Sequence, residues 1–373
     1  MKNLILCLFL PVLLSSSPSP TNYMIVGTYT GGKSEGIYVY KFNSKDGIST
    51  EVSHTKTSNP SYVTVSPDRK FVYAVSENAD KGNGGEVSAF SFDKETGILT
   101  FLNKQFTGGD HPCYVDIDKT GKWLFTANYS SGSLSVLPLN ADGSIGAATK
   151  HIEDHDATGP NKERQEKPHV HCTIVSPDNH WLFVSDLGID KVKIYAFDAA
   201  TGKLTPATPP FAKAKAGAGP RHIAFHPNGK FAYLIEELTG TIEVFQLQKG
   251  RLTPIQQTST IQRGQKGFAG SADIHLSPDG KFLYGSNRGD FNNIAIYNVN
   301  PSNGKLSIIG FQSTLGKAPR NFNFDPSGNY LLVGNQDSDE IVVFKRNAKT
   351  GLLTDNGTPV SVGKPVCIKW IAE

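Results

Sequence analysis

Histidine, arginine and glutamate recur in this chain at matching places of a repeated pattern. The segments PHVH (168–171), PRH (220–222), EEL (236–238) and NRG (287–289) carry His169, His171, Arg221, Glu237 and Arg288. An imidazole exchanges a proton near neutral pH, a carboxylate takes a proton or holds a cation, and a guanidinium offers fixed positive charge on a planar set of donors. Grouped together they suit proton transfer and anion stabilisation on a small polar molecule. Taken singly, each also has a structural explanation. Arg221 and Glu237 would pair as a salt bridge tying two strands, because neither is buried alone, or Arg221 would snorkel out of an apolar slot. The HxH of His169 and His171 has the form of a metal pair, but no carboxylate or third histidine lies at ligand spacing, so no metal is expected.

The positions of these residues follow from internal repetition. One unit appears six times, at 61–78, 113–130, 171–188, 221–238, 272–289 and 320–337: a short alternating strand, a turn such as SPDG, then a strand opening on an aromatic residue. Measured from turn to turn (Pro67, Lys119, Pro177, Pro227, Pro278, Pro326), the intervals are 52, 58, 50, 51 and 48 residues. Each copy continues with a third strand, such as 86–92 or 240–247, and a GxLT segment such as Gly97–Thr100 or Gly250–Thr253. Repeats of this length built from short strands are propeller blades of four antiparallel strands. The C-terminal KPVCIKWI (364–371) reads as a lone first strand, and 23–29, 36–42 and 48–56 read as strands two to four lacking a first. Joined, the two ends make a seventh blade, so the expected fold is all-β, a seven-bladed propeller closed by both termini, with its sheet edges protected by closure.

In such a blade the first strand is innermost, so its start and the end of the second strand meet at one mouth of the central channel. The first-strand starts are Val366, Ser61, Cys113, His171, Arg221, Ala272 and Arg320; the second-strand ends are Tyr29, Glu77, Tyr129, Leu187, Glu237, Arg288 and Gln336. His169 and Asp273 lie beside the first ring. The long connection 151–171 is expected to fold over the same mouth as a lid and to bring Arg164, since long connections in compact domains tend to carry function. A ring of polar side chains under one lid forms a small-molecule site.

Composition narrows the alternatives. The chain has 373 residues, with 37 Lys+Arg against 34 Asp+Glu. That balance gives no basic footprint for nucleic acid or anionic membrane. The opening MKN, the apolar run Leu4–Leu14 and SSSPSP read as a secretory signal peptide over 1–19, too short to span a bilayer. The mature domain is then 20–373, exported to the periplasm or medium, without a later membrane span. Cys113, Cys172 and Cys367 would remain; an odd count gives no disulfide framework, and buried packing suits them.

The strings GTYTGG (27–32), GPNKERQEKPHVH (159–171), GAGPRHIAFHPNGKFAYLIEEL (217–238), ADIHLSPDGKFLYGSNRG (272–289) and APRNFNFDPSGNYL (318–331) are more specific than any SPDG turn. In this order they resemble the seven-bladed propeller lactonases, the bacterial 6-phosphogluconolactonase type, with the carboxymuconate-lactonising cyclases as more distant relatives. The resemblance runs from Tyr23 to the end. It implies a metal-free site without cofactor in which His171, Arg221, Glu237 and Arg288 are catalytic, acting on a small-molecule lactone. The leader departs from the pattern of a cytosolic sugar-phosphate enzyme.

For hydrolysis, Glu237 or His171 would activate water and Arg221 or Arg288 would stabilise the oxyanion. The remaining guanidinium, with Arg164, would hold a phosphate or carboxylate. His169, Arg320, Asp273 and Glu77 complete the expected substrate contacts, although the blades of Glu77 and Arg320 contribute little else. No GxSxG elbow, P-loop or dinucleotide fingerprint is present, which favours direct attack by water over an acyl-enzyme. The same cluster would also serve a lactonising cycloisomerase, distinguished by its substrate. A non-enzymatic binding propeller would instead need apolar patches and no such cluster. A monomer or weak dimer is expected.

Overall fold

The computed structural model describes residues 22–79, 84–153 and 158–372; the proposed leader lies outside them, as do residues 154–157 of the long connection. Seven antiparallel sheets are present. Six follow chain order, each built from four consecutive strands, the first being Val63–Val65, Phe71–Ser76, Glu86–Asp93 and Ile98–Phe106. Blade six adds a short fifth piece, Val360–Ser361, beside its third strand Glu340–Arg346. The seventh sheet has Pro365–Ile371 innermost, followed by Asn22–Thr28, Gly36–Asn43 and Ile48–Lys56. The chain is therefore a seven-bladed β-propeller closed by its two ends. Among the described residues no helix is long and apolar enough to cross a membrane.

The repeated aromatic and the repeated glycine are two halves of one contact. The ring opening a second strand packs on the glycine of the outer turn in the next blade: Phe71 on Gly143, Trp123 on Gly202, Trp181 on Gly250, Phe231 on Gly304, Phe282 on Gly351, Tyr330 on Gly47 and Tyr23 on Gly97. Each of these glycines has a positive φ, and a Cβ there would run into the ring. Only glycine combines that backbone with that approach. The seven contacts pass once round the molecule and return, so a strictly local rule sets the blade spacing.

Between blades the alternating apolar residues meet face to face. Phe183, Ile194 and Val192 of blade three pack against Ile223, Leu234 and Phe245 of blade four. Burial of such side chains, each worth about 1.5–3 kcal/mol, leaves the start of each first strand as the place where polar groups gather.

Candidate active site

The first strands begin irregularly. Pairing between first and second strands slips at Pro112/Tyr114, Val170/Cys172, Pro220/His222, Ser271/Ile274 and Pro319/Asn321. The residues passed over are Cys113, His171, Arg221, Ala272 with Asp273, and Arg320. A bulge leaves a residue without a partner across the strand and re-aims its side chain. Here the same device acts in five blades at the same height. On the opposite strand of each hairpin, Glu77, Tyr129, Glu237 and Arg288 each follow the last strand residue by one.

Of these residues, Cys113, His171, Arg320 and the four on the second strands border a cavity of about 630 Å³. Its lining includes Tyr29, Glu77, Cys113, Tyr129, His171, Glu237, Arg288 and Arg320, with Arg164 from the loop before blade three. Every blade contributes, so the cavity lies on the propeller axis. Gln165 anchors the loop, donating to Leu187 O and to Asp190 Oδ1, both at 2.8 Å. His151, expected in the lid, instead belongs to the outer strand Lys150–Glu153. The loop proper starts after that strand, because strand pairing with Ser133–Pro138 captures its first residues.

Glu237 is the electrostatic centre. Its Oε1 accepts from Arg164 Nη2 at 2.7 Å, and its Oε2 accepts from Arg221 Nε at 3.0 Å. Arg288 Nη2 stands 3.2 Å from Oε2. Burial alone would raise this carboxyl; the attraction of Arg288, Arg221 and Arg164 outweighs it and brings the pKa down to about 2. Burial lowers Arg288 to about 10 against the pull of Glu237, so it stays cationic at neutral pH.

His171 is paired differently. The Cys113 thiol lies 3.9 Å from its Nδ1, and its ring meets Tyr129 and His222 edge-on. Burial first, then Arg221, His222 and Arg320, hold its pKa well below 6.5. The ring is a neutral imidazole. Burial, with Glu77 adding to it, also keeps the Cys113 thiol protonated, which makes it a poor nucleophile.

Across the cavity stands a second polar group. Tyr29 donates to Glu77 Oε2 at 2.8 Å, and the Arg320 guanidinium lies over the Tyr29 ring at 5.3 Å. Blades one and six, which contribute little else by sequence, thus supply one wall with the terminal blade.

Three expected site residues do not line the cavity. Arg221 is 1% exposed and is bonded to Glu237 through Nε, while its Nη1 donates to Ala272 O and faces His222 Nε2. It holds the wall rather than reaching into the space. His169 stacks on Tyr129 with ring centroids 4.5 Å apart, and its two ring nitrogens face Tyr129 O and Glu166 Oε1. Asp273 lies beneath the floor, its carboxylate occupied by His222, His275, Asn321 and backbone N–H groups. Expecting these two as substrate contacts placed them by neighbourhood along the chain, which a bulge does not respect.

His222 escaped notice in the sequence, although it follows Arg221 directly. The position after each ring residue reads Cys367, Tyr62, Tyr114, Cys172, His222, Asp273 and Asn321 around the blades. These seven buried residues form a second tier under the cavity. Tyr62 of blade one meets both Tyr114, at 4.0 Å, and His222 of blade four, at 6.0 Å, a contact that only the axis permits. Among the described residues no three His, Cys, Asp or Glu side chains gather as a metal-binding group.

Comparison with known proteins agrees with this architecture. The family model described as lactonase, 7-bladed beta-propeller, matches residues 23–370. A 6-phosphogluconolactonase of Bacillus subtilis is 39% identical over 352 residues, covering 93% of this chain and 98% of its own. The solved periplasmic gluconolactonase of Pseudomonas aeruginosa is 38% identical, covers 95% of this chain and 99% of that one, and superposes with a TM-score of 0.89. A solved Bacteroides fragilis relative is 44% identical with a TM-score of 0.90, covering 95% and 100%.

Proposed function

Because this chain belongs to the seven-bladed β-propeller lactonase family, we propose that it hydrolyses a sugar lactone in the axial cavity. Relatives named 6-phosphogluconolactonase and periplasmic gluconolactonase support an aldonolactone as substrate, with or without a phosphate. The observation that carries the proposal is a neutral imidazole, His171, in weak contact with the Cys113 thiol, lining the same pocket as a cavity-facing guanidinium, Arg288.

Water attacks the lactone carbonyl and gives its proton to His171. The carbonyl oxygen becomes an oxyanion that Arg288 stabilises, a role for which one fixed donor is typically worth about 2.7–4 kcal/mol. The ring C–O bond then breaks, and the leaving oxygen takes the proton back from the imidazolium to give the open hydroxy acid. Glu237 is already engaged by Arg164, Arg221 and Arg288; its part is to orient these three arginines. Arg164, bonded to Glu237 through Nη2, and Arg320 would receive the anionic end of the substrate on their cavity-facing sides, and Glu77 with Tyr29 would bind its hydroxyls. No step passes through a metal.

Export fits the same picture. Residues 1–19 would direct the chain out of the cytoplasm, as the periplasmic location of the Pseudomonas relative makes natural. There an unphosphorylated aldonolactone becomes the more accessible substrate.

The test is direct. Purified protein is offered gluconolactone, its 6-phosphate and a carboxymuconate, with acid release or ring closure followed at constant pH. Hydrolysis of either gluconolactone, abolished in His171→Asn, supports the proposal. Consumption of the muconate alone would establish the cycloisomerase instead, and binding without turnover the non-catalytic propeller.

A further inference from the structure

Beneath the cavity three consecutive blades place His222, Asp273 and Asn321 side by side in a tier otherwise made of tyrosine and cysteine. Buried polar groups are retained only where partners satisfy them. The Asp273 carboxylate accepts from His222 Nδ1 at 2.8 Å and Ile274 N at 3.0 Å through Oδ1. Its Oδ2 accepts from His275 Nε2 at 2.9 Å, Phe322 N at 3.3 Å and Asn321 Nδ2. With every lone-pair direction used, Asp273 is fixed.

That fixes His222 in turn. A carboxylate facing Nδ1 requires the proton there, so Nε2 is an acceptor in the neutral ring. Burial, followed by the charge of Arg221, keeps the ring neutral, with a pKa of about 4. The atom that Nε2 faces is Arg221 Nη1, at 3.3 Å. Arg221 is therefore held by His222, by Ala272 O and by Glu237. Glu237 in turn meets Arg288, which hangs from Gly270 O through Nε at 2.9 Å. The chain of contacts starts on blade five at Asp273, crosses to blade four, and returns to blade five at Arg288.

We propose that the buried Asp273–His222 pair is a positioning device for the active site: it orients Arg221, and through Glu237 it orients Arg288. This rests on the lactonase reading for its kinetic consequence but not for its geometry. Neither residue touches the cavity, so the effect is on kcat rather than on substrate affinity. A misplacement on the order of 1 Å can lower a rate about 10²-fold.

The experiment compares His222→Asn, His222→Gln and Asp273→Asn, singly and with the first and third combined. An asparagine amide reaches the Nδ1 position and keeps the bond to Asp273 but offers no acceptor to Arg221; a glutamine carbonyl reaches the Nε2 position. In folded protein, His222→Asn is expected to lower kcat by about 10- to 100-fold with KM changed less than about threefold. His222→Gln is expected to recover part of the loss, and His222→Asn with Asp273→Asn to be no worse than the poorer single variant. A readout independent of turnover is hydrogen exchange of the Arg221 Nε–H in nitrogen-15 NMR spectra. It is expected to be slow in the parent protein and at least about tenfold faster in His222→Asn. Unchanged exchange in folded His222→Asn would overturn the proposal whatever the substrate proves to be. Wild-type kcat in that variant, or fully additive losses in the double variant, would overturn its kinetic part. Absence of turnover in the parent protein would instead strike at the lactonase reading, leaving the exchange result to decide the positioning.

Discussion

Arg221 Nε meets Glu237 Oε2 at 3.0 Å across the first hairpin of blade four, reaching it from a bulge residue that no residue of the neighbouring strand opposes. The carboxylate so engaged is shared with Arg164 and Arg288, which makes one anion the counterweight of three cations. Its removal is expected to be severe. Glu237→Gln should lower stability by about 3–5 kcal/mol, the usual consequence of leaving buried charge uncompensated, and should disorder the arginines. Thermal unfolding and lactone turnover would both register it. Normal turnover in that variant would remove Glu237 from the mechanism altogether.

Acid should act on stability in two stages. His171 and His222 have folded pKa values below the unfolded 6.5, so the unfolded chain binds protons that the folded chain refuses. Their contribution is complete above pH 6.5 and is lost as pH falls, at about 1.4 kcal/mol per pH unit for each ring. Glu237, lowered to about 2 from 4.5, contributes about 3 kcal/mol that is present above pH 4.5 and disappears on descent towards pH 2. Melting temperature followed from pH 8 to pH 4 is expected to fall below about pH 6.5, and His222→Asn should flatten that fall.

Turnover should tolerate mild acid better than stability does. A general base at His171, neutral well below pH 6.5, remains active as pH drops from 7 to about 5.5. An acid limb centred at 6.5 in kcat/KM would mean that another group accepts the proton.

Arg164 is the cavity arginine that comes from a loop, with its side chain 37% exposed. Arg164→Ala is expected to leave the melting temperature nearly unchanged and to raise KM for a phosphorylated lactone about tenfold, since a charged bond of this kind is typically worth about 1.5–3 kcal/mol. The unphosphorylated substrate should be affected less, and added salt should narrow the difference.

The ring of aromatic–glycine contacts gives a test of the scaffold alone. Gly250→Ala places a methyl group against Trp181 on a backbone with φ of +76°. Overpacking and the left-handed conformation together should destabilise by about 2–4 kcal/mol, visible in chemical denaturation. A neutral outcome would show that the blades slide apart freely at that seam.

Blade number and closure were legible because hydrophobic alternation, the turn and the aromatic return at nearly even intervals. The same evenness located His171, Glu237, Arg288, Glu77 and Arg320 at one height, and the loop arginine Arg164 came with them. The expectation for Arg221 is less complete where the register slips. The sequence places it in the ring and pairs it with Glu237, and the bulge at Pro220/His222 sets it against that carboxylate without bringing it into the cavity lining. No short-range signal marks such a bulge, since the slip depends on what the neighbouring strand offers. His222 and Asp273 were obscured for a related reason. Their partnership joins residues 51 apart, and only the circular arrangement of the blades makes them neighbours.

The innermost strand of the closing blade comes from the other end of the chain, and the Tyr29 backbone N–H donates to Lys364 O at 3.1 Å. One wall of the cavity therefore depends on the pairing of two segments far apart along the chain. A molecule lacking Pro365–Ile371 would keep every charged ring residue yet lose the strand that backs Tyr29, leaving that side of the pocket without its support.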